Sequence, residues 1–200
     1  MAGSSVLSVQ DAIVIVSGLP RSGTSMMMQM LDAGGVPILT DGVREADSDN
    51  PQGYYEFEPV KRTREDPSWL AGAPGKAVKM VHLLLKTLPV DRTYRVIVMR
   101  RELDEVLASQ AVMLERLGRP GASLSPDRLA AVFRRQLEDV TRWMAEQDCF
   151  ESIEVEHGRV ISHPDEQAER VSAFLGGHLD VSAMANVVNP TLHRQRGPTA

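Results

Sequence analysis

The stretch Gly18-Leu19-Pro20-Arg21-Ser22-Gly23-Thr24-Ser25 decides the fold of this 200-residue chain. It follows the apolar run Ala12–Val16, which is typical of a buried strand, and it precedes a helical pattern over Met26–Leu31. A strand, a glycine-bearing loop and a helix in that order form a phosphate-binding loop, because backbone N–H groups and the helix N-terminus then point at an anion. The sequence therefore predicts an anion site directly after the first strand.

The Gly18–Ser25 loop has the glycine spacing of a nucleotide triphosphatase but not its cation. Four residues separate Gly18 from Gly23, as in a Walker A loop. A triphosphatase continues with a Lys that reaches the β- and γ-phosphates, and here that position holds Thr24. The cation lies inside the loop, at Arg21. This arrangement favours a phosphate-like group without a γ-phosphate, and the alternative is a plain turn between a strand and a helix.

The second half of this loop resembles the 5′-phosphosulfate loop of sulfotransferases that use 3′-phosphoadenosine 5′-phosphosulfate (PAPS). Those loops have the pattern Pro-Lys/Arg-Ser-Gly-Thr-Thr/Ser, and this chain is most similar to the Pro-Arg-Ser-Gly-Thr form of the tyrosylprotein sulfotransferases and many bacterial relatives. The resemblance implies PAPS as cosubstrate and 3′-phosphoadenosine 5′-phosphate (PAP) as product. It implies that the following residues bind the cosubstrate: Pro20, Arg21, Ser22, Gly23, Thr24 and Ser25.

Composition and charge limit the function classes. The chain is 42% hydrophobic and 24% charged, which is typical of a globular protein, and its length suits one domain over residues 1–200. The net charge of −5 argues against nucleic acid as a partner, so local cations must hold an anionic cofactor. We expect no membrane span, because no run of about 18 apolar residues exists. The first apolar run leads straight into the loop, which favours a core strand over a signal peptide.

The chain has one cysteine, Cys149, so an internal disulfide is excluded and a reducing cytoplasm is the expected compartment. No His, Cys or Asp residues have the spacing of metal ligands, so we expect no metal. The sequence makes no prediction of the oligomeric state.

Strand and helix patterns alternate along the chain. This alternation predicts an α/β fold of the three-layer P-loop type, in which helices flank a mainly parallel sheet. The predicted strands cover residues 12–17, 36–39, 76–85, 94–101 and 152–155, and the predicted helices cover residues 24–33, 103–117, 125–147 and 164–175. Residues 41–75 have no clean period but contain Tyr54, Tyr55, Phe57 and Trp69, which argue against disorder. We expect this segment to be an irregular insertion on the acceptor side.

The pair Arg101 and Ser109 predicts a second anion subsite. In the sulfotransferases that the loop resembles, an Arg at a strand end and a Ser eight residues later bind the 3′-phosphate of PAPS, and this pair has that spacing. A guanidinium fork with a hydroxyl suits a dianion. The alternative pairs Arg101 with Asp104 or Glu105. This chain has Glu102-Leu103 where the family has Asn-Pro or Asp-Pro after the Arg.

Further cations follow from the same resemblance. Lys79 lies on the strand before Arg101, where the relatives direct a Lys at the sulfonate; the alternative is an edge-strand Lys with its head in water. The closing segment Asn189–Arg196 resembles the family's Asn-Pro-x-Leu-x-x-x-Arg segment, so Arg194 or Arg196 is expected to fold back to the nucleotide. The alternative interpretation is that this segment is a basic tail that does not contact the nucleotide.

Sulfuryl transfer to a hydroxyl needs a base, and the sequence offers four candidates. Glu56 is the first choice, because the segment Asn50–Glu56 resembles an Asn-Pro-x-Gly-aromatic-x-Glu motif of bacterial sulfotransferase-like proteins. His82 follows Lys79 by three residues, and on a regular strand that spacing places the two side chains on opposite faces. Asp41 and Glu45 are the remaining candidates, and each carboxylate has a solvated loop charge as its alternative.

These observations predict a PAPS-dependent sulfotransferase that modifies a hydroxyl or amine on a small molecule, a glycan or a peptide. Arg21 and Lys79 are the predicted catalytic cations, with the base as the third catalytic group. Two alternatives stay open: a noncatalytic protein that binds PAPS or another nucleotide, and a nucleotide kinase or triphosphatase of similar architecture.

Overall fold

The computed structural model describes residues 11–43, 53–119 and 124–192. Five strands form the sheet: β1 Ile13–Gly18, β2 Ile38–Leu39, β3 Ala77–Val81, β4 Tyr94–Arg100 and β5 Phe150–Glu156. The α-helices of the described residues are α1 Thr24–Ala33, α2 Leu103–Arg116, α3 Pro126–Ala145, α4 His157–Ser162, α5 Pro164–Phe174 and α6 Val181–Asn186. Short 3₁₀ helices lie at Glu58–Arg62, Ser68–Gly72, His82–Thr87 and Pro190–Leu192.

The sheet has the strand order β2-β3-β1-β4-β5, and every neighbouring pair is parallel. The carboxyl ends of the strands therefore share one edge, where Gly18 aligns with Val81 of β3 and with Met99 of β4. The chain reaches β2 and β3 on one side of β1, and β4 and β5 on the other. The Gly18–Ser25 loop thus lies at the switch point of the topology, which is where open α/β sheets bind ligands.

Both faces of the sheet are covered, which explains why β1 is apolar at every strand position up to Val16. Val14 and Val16 pack with α1, α5 and α6 in one core, and Ile13 and Ile15 pack with α3 in the other. A parallel strand buried on both faces has a continuous apolar sequence and no alternation. The predicted three-layer α/β fold is confirmed, and all five strands are parallel.

The predicted strand over residues 76–85 is wrong in its second half. The strand ends at Val81, and His82–Thr87 forms a 3₁₀ helix that buries Leu85 and leaves Leu83 exposed. A continuous apolar run does not reveal by its period where a strand gives way to a tight helix. The helices α4 and α6 were not predicted, because six residues are too few to show a helical period.

The described part of the acceptor-side segment, residues 41–43 and 53–75, contains no strand and no α-helix. Its two 3₁₀ helices bury Val60 and Leu70, and Phe57 meets Trp69 edge-on with the ring centroids 6.0 Å apart. Aromatic packing therefore holds this irregular segment against the sheet. Within the described ranges, no helix is both long enough and apolar enough to span a membrane.

Candidate anion-binding site at the carboxyl edge of the sheet

Two glycines shape the Gly18–Ser25 loop. Gly18 has φ 149°, and a Cβ at this position would lie 2.7 Å from the Met99 carbonyl oxygen. Gly23 is the N-cap of α1 with φ 96°, and its Cβ would lie 2.6 Å from Cδ2 of His157. Neither position has room for a side chain, so the loop backbone approaches β4 and α4 closely.

The N-terminus of α1 suits an anion. Its first turn contains no acidic residue, and the Gly23 cap offers no side chain to its N–H groups. The first N–H groups of any α-helix lack intrahelical acceptors, and the helix dipole makes that end electropositive. Thr24 and Ser25 begin α1 and add two hydroxyls.

Arg21 connects the loop to α2. Its φ of 72° is left-handed, a conformation that costs a non-glycine residue on the order of 1–3 kcal/mol. Contacts with α2 and the end of β4 hold this residue: its Nε donates to Ser109 Oγ at 2.9 Å, and its carbonyl accepts from Arg101 Nη1 at 3.1 Å. The structure thus brings together the predicted phosphosulfate cation and both predicted 3′-phosphate residues.

Arg101 also has a carboxylate partner. Its Nε donates to Glu105 Oε2 at 2.8 Å, and both side chains are about nine-tenths buried. One of the two ion pairs that the sequence left open is therefore present. It does not replace the loop contact, since the same guanidinium holds the Arg21 carbonyl.

Lys79 and Ser25 share one acceptor. The Lys79 ammonium donates to the Tyr54 carbonyl and lies 5.8 Å from the centroid of the Tyr54 ring, within cation–π range. Ser25 Oγ donates to the same carbonyl at 3.4 Å. The irregular segment therefore contacts the Gly18–Ser25 loop through the Tyr54 main chain, beside Lys79, which is predicted to contact the sulfonate, and Ser25, which is predicted to bind the phosphosulfate.

His82 lies beneath the loop, and it contacts α3. Its Nδ1 is 3.3 Å from the Gly18 carbonyl oxygen, its Nε2 is 3.2 Å from Oε1 of Gln136, and the residue is 3% exposed. Because a carbonyl only accepts, the Gly18 contact needs the proton on Nδ1, and a neutral ring then accepts at Nε2 only if the Gln136 amide turns its NH₂ group toward it. Lys79 contacts the acceptor-side segment, so the two side chains do diverge. The reason is not strand alternation, since β3 ends before His82.

Asp41 and Glu56 lie in the described part of the irregular segment 41–75. Glu56 follows Tyr54 by two residues, so its Cα lies within about 7 Å of the Tyr54 Cα. Its Oε2 is 3.5 Å from Lys61 Nζ, and its side chain is 21% exposed. Asp41 accepts from the backbone N–H of Glu58 at 2.5 Å and of Val43 at 3.0 Å, and these bonds hold the pKa of its carboxyl below the usual range. Asp41 therefore has a structural role, because its carboxylate accepts a hydrogen bond from the first residue of the 3₁₀ helix Glu58–Arg62.

Some predicted residues lie outside the described residues, namely Arg194, Arg196, Glu45 and the Asn50–Gln52 part of the motif. Sequence reasoning also missed parts of the site that the structure does describe. The Tyr54 carbonyl has no sequence signature, because every residue carries a carbonyl. His157 packs against Gly23, and only its position after a predicted strand could have drawn attention to it.

Comparison with known proteins relates the fold of this chain to solved structures. No family model and no curated protein matches the chain. Among solved structures, the sulfotransferase domain of the Synechococcus PCC 7002 olefin synthase aligns with a TM-score of 0.56 at 16% identity, over 96% of this chain and 91% of that domain. The sulfotransferase domain from the curacin biosynthetic pathway aligns with a TM-score of 0.51 at 13% identity, over 94% and 93%. The chain therefore has the fold of sulfotransferase domains, as the loop resemblance implied.

Proposed function

We propose that this protein transfers a sulfuryl group from PAPS to an acceptor hydroxyl or amine. The observation that carries the proposal is the Arg21 network. A strained loop cation at the switch point of a sulfotransferase-type fold is bonded to Ser109 and to Arg101, the two residues that the resemblance assigns to the 3′-phosphate.

The residues present fit PAPS in their chemistry. The two glycines let the loop backbone pack closely against β4 and α4, and the first turn of α1 offers N–H groups, the Thr24 hydroxyl and no carboxylate. The 5′-phosphosulfate would be held by the loop residues that follow Pro20, namely Arg21, Ser22, Gly23, Thr24 and Ser25. Arg101 and Ser109 would hold the 3′-phosphate, and Arg194 and Arg196 are proposed to close on the nucleotide.

PAPS supplies an activated sulfuryl group, whose transfer leaves negative charge on the bridging phosphate oxygen. Arg21 and Lys79 would stabilise that charge, as fixed cations do in sites prepared for a charged transition state. The acceptor oxygen or nitrogen forms the new bond to sulfur, and its proton passes to a base, for which Glu56 is proposed. Lys79 must exchange part of its contact with the Tyr54 carbonyl for the sulfonate, so the acceptor-side segment would respond to cosubstrate binding.

Two alternatives make different predictions. A nucleotide kinase or triphosphatase would require a cation in place of Thr24 for the γ-phosphate. A noncatalytic nucleotide-binding protein would keep the Arg21 network and lack a working base, so it would bind PAPS without transferring sulfate to any acceptor.

Isothermal titration calorimetry with PAP and AMP tests the donor assignment. We expect the wild-type protein to bind PAP far better than AMP, because Arg101 and Ser109 favour a 3′-phosphate. Arg101→Ala should weaken PAP binding by roughly 10- to 150-fold and AMP binding much less, from about 1.5–3 kcal/mol for a hydrogen bond to a charged group.

Arg128→Ala, at an exposed site in the first turn of α3, is the matched control and should leave both affinities unchanged. Since Arg101→Ala removes the ion pair with the buried Glu105 carboxylate, Arg101→Lys serves as a second variant that keeps a cation there. Equal affinity of the wild-type protein for PAP and AMP would overturn the proposal.

A further inference from the structure

A cavity of about 430 Å³ adjoins the Arg21 network. It lies at the carboxyl edge of the sheet between the end of β4, the first turn of α2, the middle of α3 and the start of α4. Its lining includes Arg100, Arg101, Arg134, Glu105, Glu156 and Gly158. This volume is within the range of small-molecule sites, and it begins at the proposed 3′-phosphate residue.

We infer that Arg134 of α3 is a second cation for the phosphate that Arg101 binds, and that it sets the preference for nucleotides with a 3′-phosphate. This inference rests on the proposed function. Arg134 would add positive charge from α3, an element that contains neither Arg101 nor Ser109.

The helical period places Arg134 in the cavity. Ala130, Arg134 and Leu137 all line it, and the spacing of four and three residues puts them on one face of α3. The next residue, Arg135, points elsewhere: its side chain is 85% exposed, and its Nε lies 3.9 Å from Asp139. Both arginines are exposed, and of the two Arg134 is the one that lines the cavity.

The ion pairs of the cavity single out Arg134. Arg100 pairs with Glu154 at 3.3 Å, and Arg101 pairs with Glu105 at 2.8 Å. The ion pairs formed among the described residues do not include Arg134. Because Glu105 already offsets much of the Arg101 charge, a phosphate dianion at Arg101 needs another cation, and Arg134 lines the same cavity.

The other carboxylates of the lining do not remove this attraction. Glu102 and Asp104 are exposed to water at the start of α2, where the helix dipole favours negative side chains. Glu156 is exposed at the end of β5 and suits a hydroxyl donor of the ligand. A mixed lining of this kind fits a nucleoside phosphate, which presents hydroxyls and an anion together.

The test compares PAP and AMP by calorimetry on the wild-type protein, Arg134→Ala and Arg135→Ala. We expect Arg134→Ala to lower the affinity for PAP by about 10-fold or more while the affinity for AMP changes less than about threefold. Arg135→Ala should leave both affinities at the wild-type values. Arg134→Lys should recover part of the preference, because it restores the charge without the guanidinium fork.

Two outcomes overturn the inference in different ways. If Arg101→Ala removes the preference for PAP and Arg134→Ala keeps it, Arg134 has no part in the site and the proposed function stands. If the wild-type protein shows no preference for PAP, the proposed function fails and the inference fails with it. Circular dichroism of each variant separates lost binding from lost folding.

Discussion

At the scale of single residues, the loop cation was readable from the sequence because it occupies a motif. Arg21 stands between Pro20 and Ser22, and a resemblance over six residues assigned its role. Its left-handed backbone could not be predicted, because the identity of an Arg residue does not indicate a positive φ. Strained residues of this kind concentrate at functional sites, where neighbouring contacts hold them. Ser109 and Arg101 are those contacts here.

The proton acceptor was harder to predict for a different physical reason. Carboxylates in irregular loops have no period, so their partners depend on how the segment folds. The structure gives Asp41 two backbone donors, gives Glu56 a contact with Lys61, and places His82 between the Gly18 carbonyl and Gln136. Arg134 could have been noticed, since its spacing from Ala130 and Leu137 places it on the same face of α3.

The base proposal predicts a contrast between two conservative substitutions. Glu56→Gln keeps the size of the side chain and removes the proton acceptor, so turnover at saturating PAPS should fall by about 10²–10⁴ while PAP binding stays intact. His82→Gln should mainly weaken cosubstrate binding, because it disturbs the Gly18 carbonyl. Sulfate transfer and calorimetry on both variants distinguish the roles. Loss of transfer in His82→Gln with a neutral Glu56→Gln would identify His82 as the base.

At the scale of elements, the strand–loop–helix unit was predictable because local sequence determines it. The loop glycines mark its start and its helix cap, and β1 and α1 begin within a residue of their expected positions. The 3₁₀ helix His82–Thr87 was not predictable, because tertiary burial of Leu85 decides it. Hydrophobic periodicity alone does not predict elements that depend on long-range packing.

The close approach of Gly23 to His157 gives an element-scale prediction. Gly23→Ala should destabilise the protein by about 2–5 kcal/mol, from the left-handed φ and from forcing a Cβ into the imidazole. Gly35→Ala is the matched control, since Gly35 has φ 91° and no atom within 4 Å of a Cβ, and it should cost only about 1–2 kcal/mol. Urea unfolding measures both. Equal losses would show that the His157 contact carries no packing cost.

At the scale of the whole molecule, the parallel sheet explains why distant residues form one site. Parallel strands end at one edge, so Gly18, Val81 and Met99 align although they come from three separate parts of the chain. The net charge of −5 predicts that an anion site needs local cations, and Arg21, Arg101, Lys79 and Arg134 lie near that edge. The alignment of parallel strands does not predict the acceptor site, because the proposed acceptor segment, residues 41–75, is irregular.

A ligand that bridges elements of this edge should stabilise the entire fold. PAP at 100 times its dissociation constant adds about 2.7 kcal/mol to the free energy of unfolding, which corresponds to a rise in Tm of about 5–11 °C for a chain of this size. AMP at the same concentration, if it binds about 100-fold more weakly, should raise Tm by only about 1–2 °C. Thermal unfolding followed by circular dichroism measures both shifts, with inorganic sulfate as the control for the phosphosulfate loop alone. Equal shifts with PAP and AMP would mean that the 3′-phosphate contributes no binding energy, and the edge from Arg21 to Arg134 would then not be a single nucleotide site.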